Sequence, residues 1–137
     1  MTLAARAFAQ LATWPDLTEV EPSCGTGRAL AAAHGEIAHF HSDRNLDLCL
    51  TARVIRRFEE HLGAATAVRM VPGSHWVTLR LEVVADFDLL MTLVSLALRA
   101  HQSWPQPDHE PLARCNDQRV AVVARQSLGE GSPTWRG

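Results

Sequence analysis

The chain predicts an α+β domain, a two-layer structure with an antiparallel sheet and helices packed on one face, in the order α-β(3-4)-α-β(2)-α plus a C-terminal tail. Three observations carry this. Segments of alternating polarity follow one another closely. Their connections, at His34-Gly35, Ser42 to Asn45 and Pro72-Gly73, are of hairpin length. Three further segments space their apolar residues at helical intervals.

The first helix is read over Thr2 to Trp14, where Leu3, Ala7, Leu11 and Trp14 share a face and Pro15 stops the run. Leu17 to Glu21 reads as a short strand, and Thr26 to Ala33 and Glu36 to His41 as a hairpin. Leu46 to Leu50 alternates strictly. Thr51 then suits an N-cap and Gly63 a C′ position, with Val54, Ile55, Phe58 and Leu62 as the apolar stripe between them. A second hairpin joins Thr66 to Val71 with His75 to Leu81 through Pro72-Gly73, the central pair of a type II turn.

Asp86 suits the cap of a last helix, Phe87 to His101, whose polar positions Asp88, Thr92, Ser95 and Arg99 form one narrow stripe. So apolar a helix needs cover on two flanks, and a homodimer through this helix, or the tail, is expected to supply the second. Residues 1–101 are read as one domain and 102–137 as a C-terminal extension, ordered in part at most. Within it Arg119 to Arg125 suits a strand or short helix, and Gly129 to Gly137 is expected to be disordered.

With 137 residues, 47% hydrophobic and 20% charged, the chain has enough apolar material for one core. Its net charge of −2 makes nucleic acid an unlikely partner, and no segment reads as a membrane span or signal peptide, so a cytoplasmic location is expected. All 13 basic residues are arginine. That fits either a compositional bias or bidentate anion recognition. Cys24, Cys49 and Cys115 form no CxxC pair, and the plain reading is three buried thiols, not a structural zinc site.

The chemically pointed motif is His39-Phe40-His41. Alternation puts both histidines on one face, and a five-residue loop from Ser42 to Leu46 would set His41 beside Asp47. With Phe40 in the core, His39, His41, Asp47, Cys49, Trp76 and Arg80 then share the second face. His39, His41 and Asp47 are the candidate ligands for a divalent transition metal, and His39, His41, Asp47, Trp76 and Arg80 the candidates for binding a small ligand. The plainer alternative is a pair of half-exposed strand histidines bonded to their neighbours. No catalytic residue is assigned, and Cys49 lacks the base a nucleophile needs.

The runs Glu36-Ile37-Ala38-His39-Phe40-His41, Leu46-Asp47-Leu48 and Pro72-Gly73-Ser74-His75-Trp76-Val77-Thr78, with the closing Leu-rich helix, resemble the short bacterial proteins of the luciferase-domain family. The resemblance covers Leu11 to His101 and implies the same α+β fold. It implies no light emission, and it assigns no biochemical role. The stretch from His75 to Leu81, with the acidic cap and helix after it, is also similar to MmcQ/YjbR-like proteins, a resemblance that implies wing-like hairpins and DNA binding. The leading expectation is a non-enzymatic binding or interaction module that self-associates. The alternative is a small metal- or histidine-dependent enzyme using the His39/His41 strand, and the third is a DNA-binding double-wing module.

Overall fold

A computed structural model describes residues 2–33, 35–103, 115 and 116. Helix α1 (Leu3–Leu11) starts where the Thr2 hydroxyl accepts the Ala5 N–H at 3.0 Å. It buries Ala4, Ala7, Phe8 and Leu11, one stripe of the helical period. The strands are β1 (Thr18–Val20), β2 (Arg28–Ala32), β3 (Gly35–Phe40), β4 (Asn45–Cys49), β5 (Val68–Met70) and β6 (Trp76–Arg80). They form one sheet in the order β1-β2-β3-β4-β6-β5, every pair antiparallel. The second hairpin closes as its sequence suggests: Gly73 takes φ +77°, and the Ser74 N–H reaches the Val71 carbonyl at 3.0 Å.

The register around the β3–β4 turn differs from the expectation by two residues. His39 faces Asp47 and Phe40 faces Leu46, while the His41 N–H donates to the Asn45 carbonyl. The turn is therefore the three residues Ser42 to Arg44. It is tightened by the Ser42 hydroxyl, which accepts the Arg44 and Asn45 amides at 3.2 and 3.1 Å. Because the slip is even, it moves every pairing but reverses no face.

Leu30, Ala38, Phe40, Leu46, Leu48, Val77 and Leu79 face the core, with α1 and α4 (Val84–Ser103) packed on that side. Between β4 and β5 the single helix expected from Thr51 to Gly63 is two: α2 (Ala52–Arg57) and α3 (Glu59–Ala64), parted at Phe58 with φ −110°. Val54 and Leu62, eight residues apart, would stand about 80° apart on one straight helix. Across the break both are buried. Thr51 does cap α2, but Gly63 lies inside α3, and Ala65 ends it.

Helix α4 begins three residues before the expected Phe87. Asp86 sits in its first turn and its carboxylate accepts the Glu82 and Val83 amides at 2.9 and 3.0 Å, a backward-reaching cap. Its polar stripe is exposed, but Leu90, Leu93, Val94, Ala97 and Leu98 are buried. Among the described residues the exposed large hydrophobics are Val83 and Val84, before and at the start of α4. Phe87, Leu89, Met91 and Leu96 on its flanks are partly buried against the core. The expectations for Arg119 to Arg125 and for the last nine residues lie outside the described residues.

Candidate functional site: a histidine and cysteine cluster on the second sheet face

The face away from the helices carries one polar row, Arg69, Thr78, Asp47, His39 and Ala29, each opposite the next on neighbouring strands. Ala29 is small, and His39 lies fully buried beside it at 0% exposure. One irregularity adds to this row. On β3 Glu36 pairs with Ala31 and Ala38 with Leu30, so Ile37 is an extra residue, a β-bulge. In a regular strand Glu36 and His39, three apart, would face opposite ways. The bulge restores them to one side, and the Glu36 Oε2 meets the His39 Nε2 at 2.6 Å. Ile37 and Ala38 both enter the core, as a bulge permits.

The ionised carboxylate can only accept, so the His39 Nε2 carries the hydrogen and its Nδ1 lone pair points the other way. There it finds the Cys24 Sγ at 3.5 Å. Burial lowers the His39 pKa against the opposing pull of Glu36, favouring the neutral ring. Burial works against the charge on Glu36, but hydrogen bonding with Ser23, whose N–H donates at 3.0 Å, and the nearby His39 outweigh it, and its pKa falls.

Cys24 is held in place by its own loop. Gly27, at φ +75°, presses against β3 so closely that a Cβ there would stand 2.1 Å from the Phe40 carbonyl oxygen. Only glycine allows that approach.

His41, two residues along, packs edge-on to His39 with ring centroids 5.7 Å apart. Its Nε2 is 3.2 Å from the Asp47 Oδ2, within ion-pair distance, and among the described residues neither ring nitrogen makes a hydrogen bond. Asp47 is held from its other oxygen by the Thr78 hydroxyl at 2.7 Å. Trp76 lies against His39 with centroids 4.8 Å apart and is buried, a wall of the cluster.

The cluster is completed from the C-terminal segment. Cys115 is fully buried against Cys49 and Trp76, with Cys24 at the edge of the same group. Asn116 beside it accepts the Ser74 hydroxyl and donates to the Trp76 carbonyl at 3.0 Å and to the Thr78 hydroxyl at 3.1 Å. The donor atoms of Cys24, His39, His41 and Cys115 lie within 4.8 Å of one another, and no disulfide joins the cysteines. A tetrahedral zinc with bonds of about 2.0–2.3 Å separates its donors by about 3.3–3.8 Å. The Cys24–His39 distance already falls in that range, and the widest needs to close by about an ångström.

Of the residues singled out in the sequence, His39, His41, Asp47 and Trp76 come together. Arg80 is exposed at the rim of an adjoining groove, 3.4 Å from Glu82. Asp47 stands beside His41, and its carboxylate is not among the clustered donor atoms of Cys24, His39, His41 and Cys115. Cys49 shares the face without joining the set, its thiol pushed up to about 12 by burial. All three cysteines are free thiols as expected, Cys49 and Cys115 buried and Cys24 half-buried, but the sulfurs of Cys24 and Cys115 also lie beside the two histidines. Those two and Glu36 were missed, because no spacing signals a loop, a tail and a bulge converging.

Residues 34–97, from just before β3 into α4, match the family model described as Luciferase domain. No curated protein and no solved structure matches the chain. Among the described residues no helix is long and apolar enough to cross a membrane.

Proposed function

We propose that this chain is a non-enzymatic binding module built around one divalent transition metal, zinc by ligand type, held by Cys24, His39, His41 and Cys115. The observation that carries this is the convergence of two thiols and two imidazoles within 4.8 Å on a buried sheet face. Two thiolates and two imidazoles are a closed tetrahedral set, the kind that holds structure and leaves no open position for substrate. The carboxylates beside the two histidines support it as well. Metal-bound histidines commonly give their other ring nitrogen to a carboxylate, and Glu36 stands in that position for His39 while Asp47 flanks His41.

The metal's role in this reading is to fasten the segment around Cys115 onto the second face and so shape the surface the module presents. Cobalt substitution tests it. Cobalt bound by Cys24 and Cys115 gives intense thiolate-to-metal absorption that is lost in C24S and C115S and kept in D47N. Cobalt spectra without thiolate character would overturn it.

One observation favours a second reading, a metal-dependent enzyme. His41 borders both the cluster and the open groove. Detachment of Cys115 would leave three protein ligands and a vacant fourth position, the catalytic arrangement. Hydrolytic turnover by the zinc-loaded wild type that is abolished in H41A would favour it.

A further inference from the structure

Beyond the cluster, the same face continues into a groove of about 700 Å³ between the β3–β4 turn and β5–β6. That volume falls within the range of small-molecule sites. Its charged lining residues besides His41 are Arg69, Arg80 and Asp47. Asp47 is 2% exposed and its oxygens are engaged by Thr78 and His41, so they do not compete for the arginines at the rim. Arg69 and Arg80 are both exposed, on adjacent strands and two rows of the same face. Arg69 makes no ion pair among the described residues. The Arg80 contact with Glu82 is a solvent-exposed pair at 3.4 Å, of the kind that yields readily to a better partner. Ser42 and Asn45 add polar groups from the turn. A donor-rich concavity with two guanidiniums, in a chain of net charge −2, is a local electrostatic exception.

We infer that this groove binds the oxyanion group of a small polar molecule, with Arg69 and Arg80 as the paired guanidiniums that clasp it. Planar guanidinium forks suit both phosphate and carboxylate oxygens, and that is the shared chemistry assigned to the ligand. The site does not depend on the metal, because neither arginine belongs to the donor set.

The test is an NMR titration of the full chain, first with inorganic phosphate and then with citrate, at ionic strength held constant with chloride. Saturable shifts are expected at the amides of Arg69, Thr78 and Arg80 with at least one anion, and the anion that saturates identifies the oxyanion class. R69Q/R80Q is expected to weaken binding at least tenfold, and R56Q, on the exposed side of α2, to leave it unchanged. No saturation with either anion in the wild type would overturn the inference. So would unweakened binding by folded R69Q/R80Q, or an equal loss in R56Q.

Discussion

Glu36 and His39 stand three residues apart on one strand, yet their side chains meet at 2.6 Å because Ile37 bulges out of register between them. The contact fixes the tautomer of His39 and aims its Nδ1 at Cys24. Removing such a partner lowers metal affinity by about 10–100-fold. E36A is therefore expected to fall in that range in a zinc competition titration against a chromophoric chelator, with E36Q between it and the wild type. Unchanged affinity in E36A would show that His39 is oriented by packing alone.

Gly27 sets the position of the Cys24 loop. G27A forces a positive-φ backbone on a Cβ residue and drives that Cβ to 2.1 Å from the Phe40 carbonyl oxygen, so the loop or the end of β3 must shift. A loss of at least about 2 kcal/mol in urea unfolding is expected. G25A, at a similar φ but with nothing within 4 Å, separates the two causes, since it carries only the conformational part. Equal losses in the two variants would show that the close approach to β3 costs nothing.

Asn116 is bonded to Trp76 and Thr78 of β6 and to Ser74 just before it. It is 1% exposed, so N116A leaves buried groups without their partner and is expected to cost about 1–3 kcal/mol. Chemical denaturation of metal-stripped protein measures this without the metal's contribution. A loss below about 0.5 kcal/mol would indicate that the segment is not held there in solution.

Glu19 and Arg28 form a two-pronged pair on the β1–β2 ladder, at 3.0 and 2.9 Å, while the Arg28 guanidinium also lies over the Phe8 ring. The hydrogen bond from Arg28 lowers the Glu19 pKa below its ordinary value of 4.5. A depressed carboxylate contributes stability above its unfolded pKa and loses it as pH falls through the folded one. The Tm difference between wild type and E19Q is thus expected at neutral pH and at low salt, and to vanish in strong acid. A difference that persists in acid would assign it to packing on Phe8, not to charge.

The faces of the sheet were legible because alternation is robust to an even slip: His39, His41, Asp47 and Trp76 gather as expected although the β3–β4 turn is two residues shorter. The Thr51 cap was legible in place, while Gly63 falls inside α3. Asp86 caps from inside α4, and nothing in the apolar stripe from Val54 to Leu62 announced the break at Phe58. Glu36 was hidden because a single bulged residue reverses parity, and Ile37 looks like any other strand residue. Cys24 and Cys115 were hidden for a different reason. They lie 91 positions apart, in segments without periodicity, and only tertiary structure brings them to the histidines.

The central claim, one metal held by Cys24, His39, His41 and Cys115, is tested most directly by elemental analysis of the full chain. The protein would be expressed with zinc, purified without chelator and dialysed. The account predicts about one zinc per chain in the wild type and in D47N, and a small fraction of that in C24S/C115S. Negligible metal in folded wild-type protein, or a full equivalent retained by folded C24S/C115S, would contradict it.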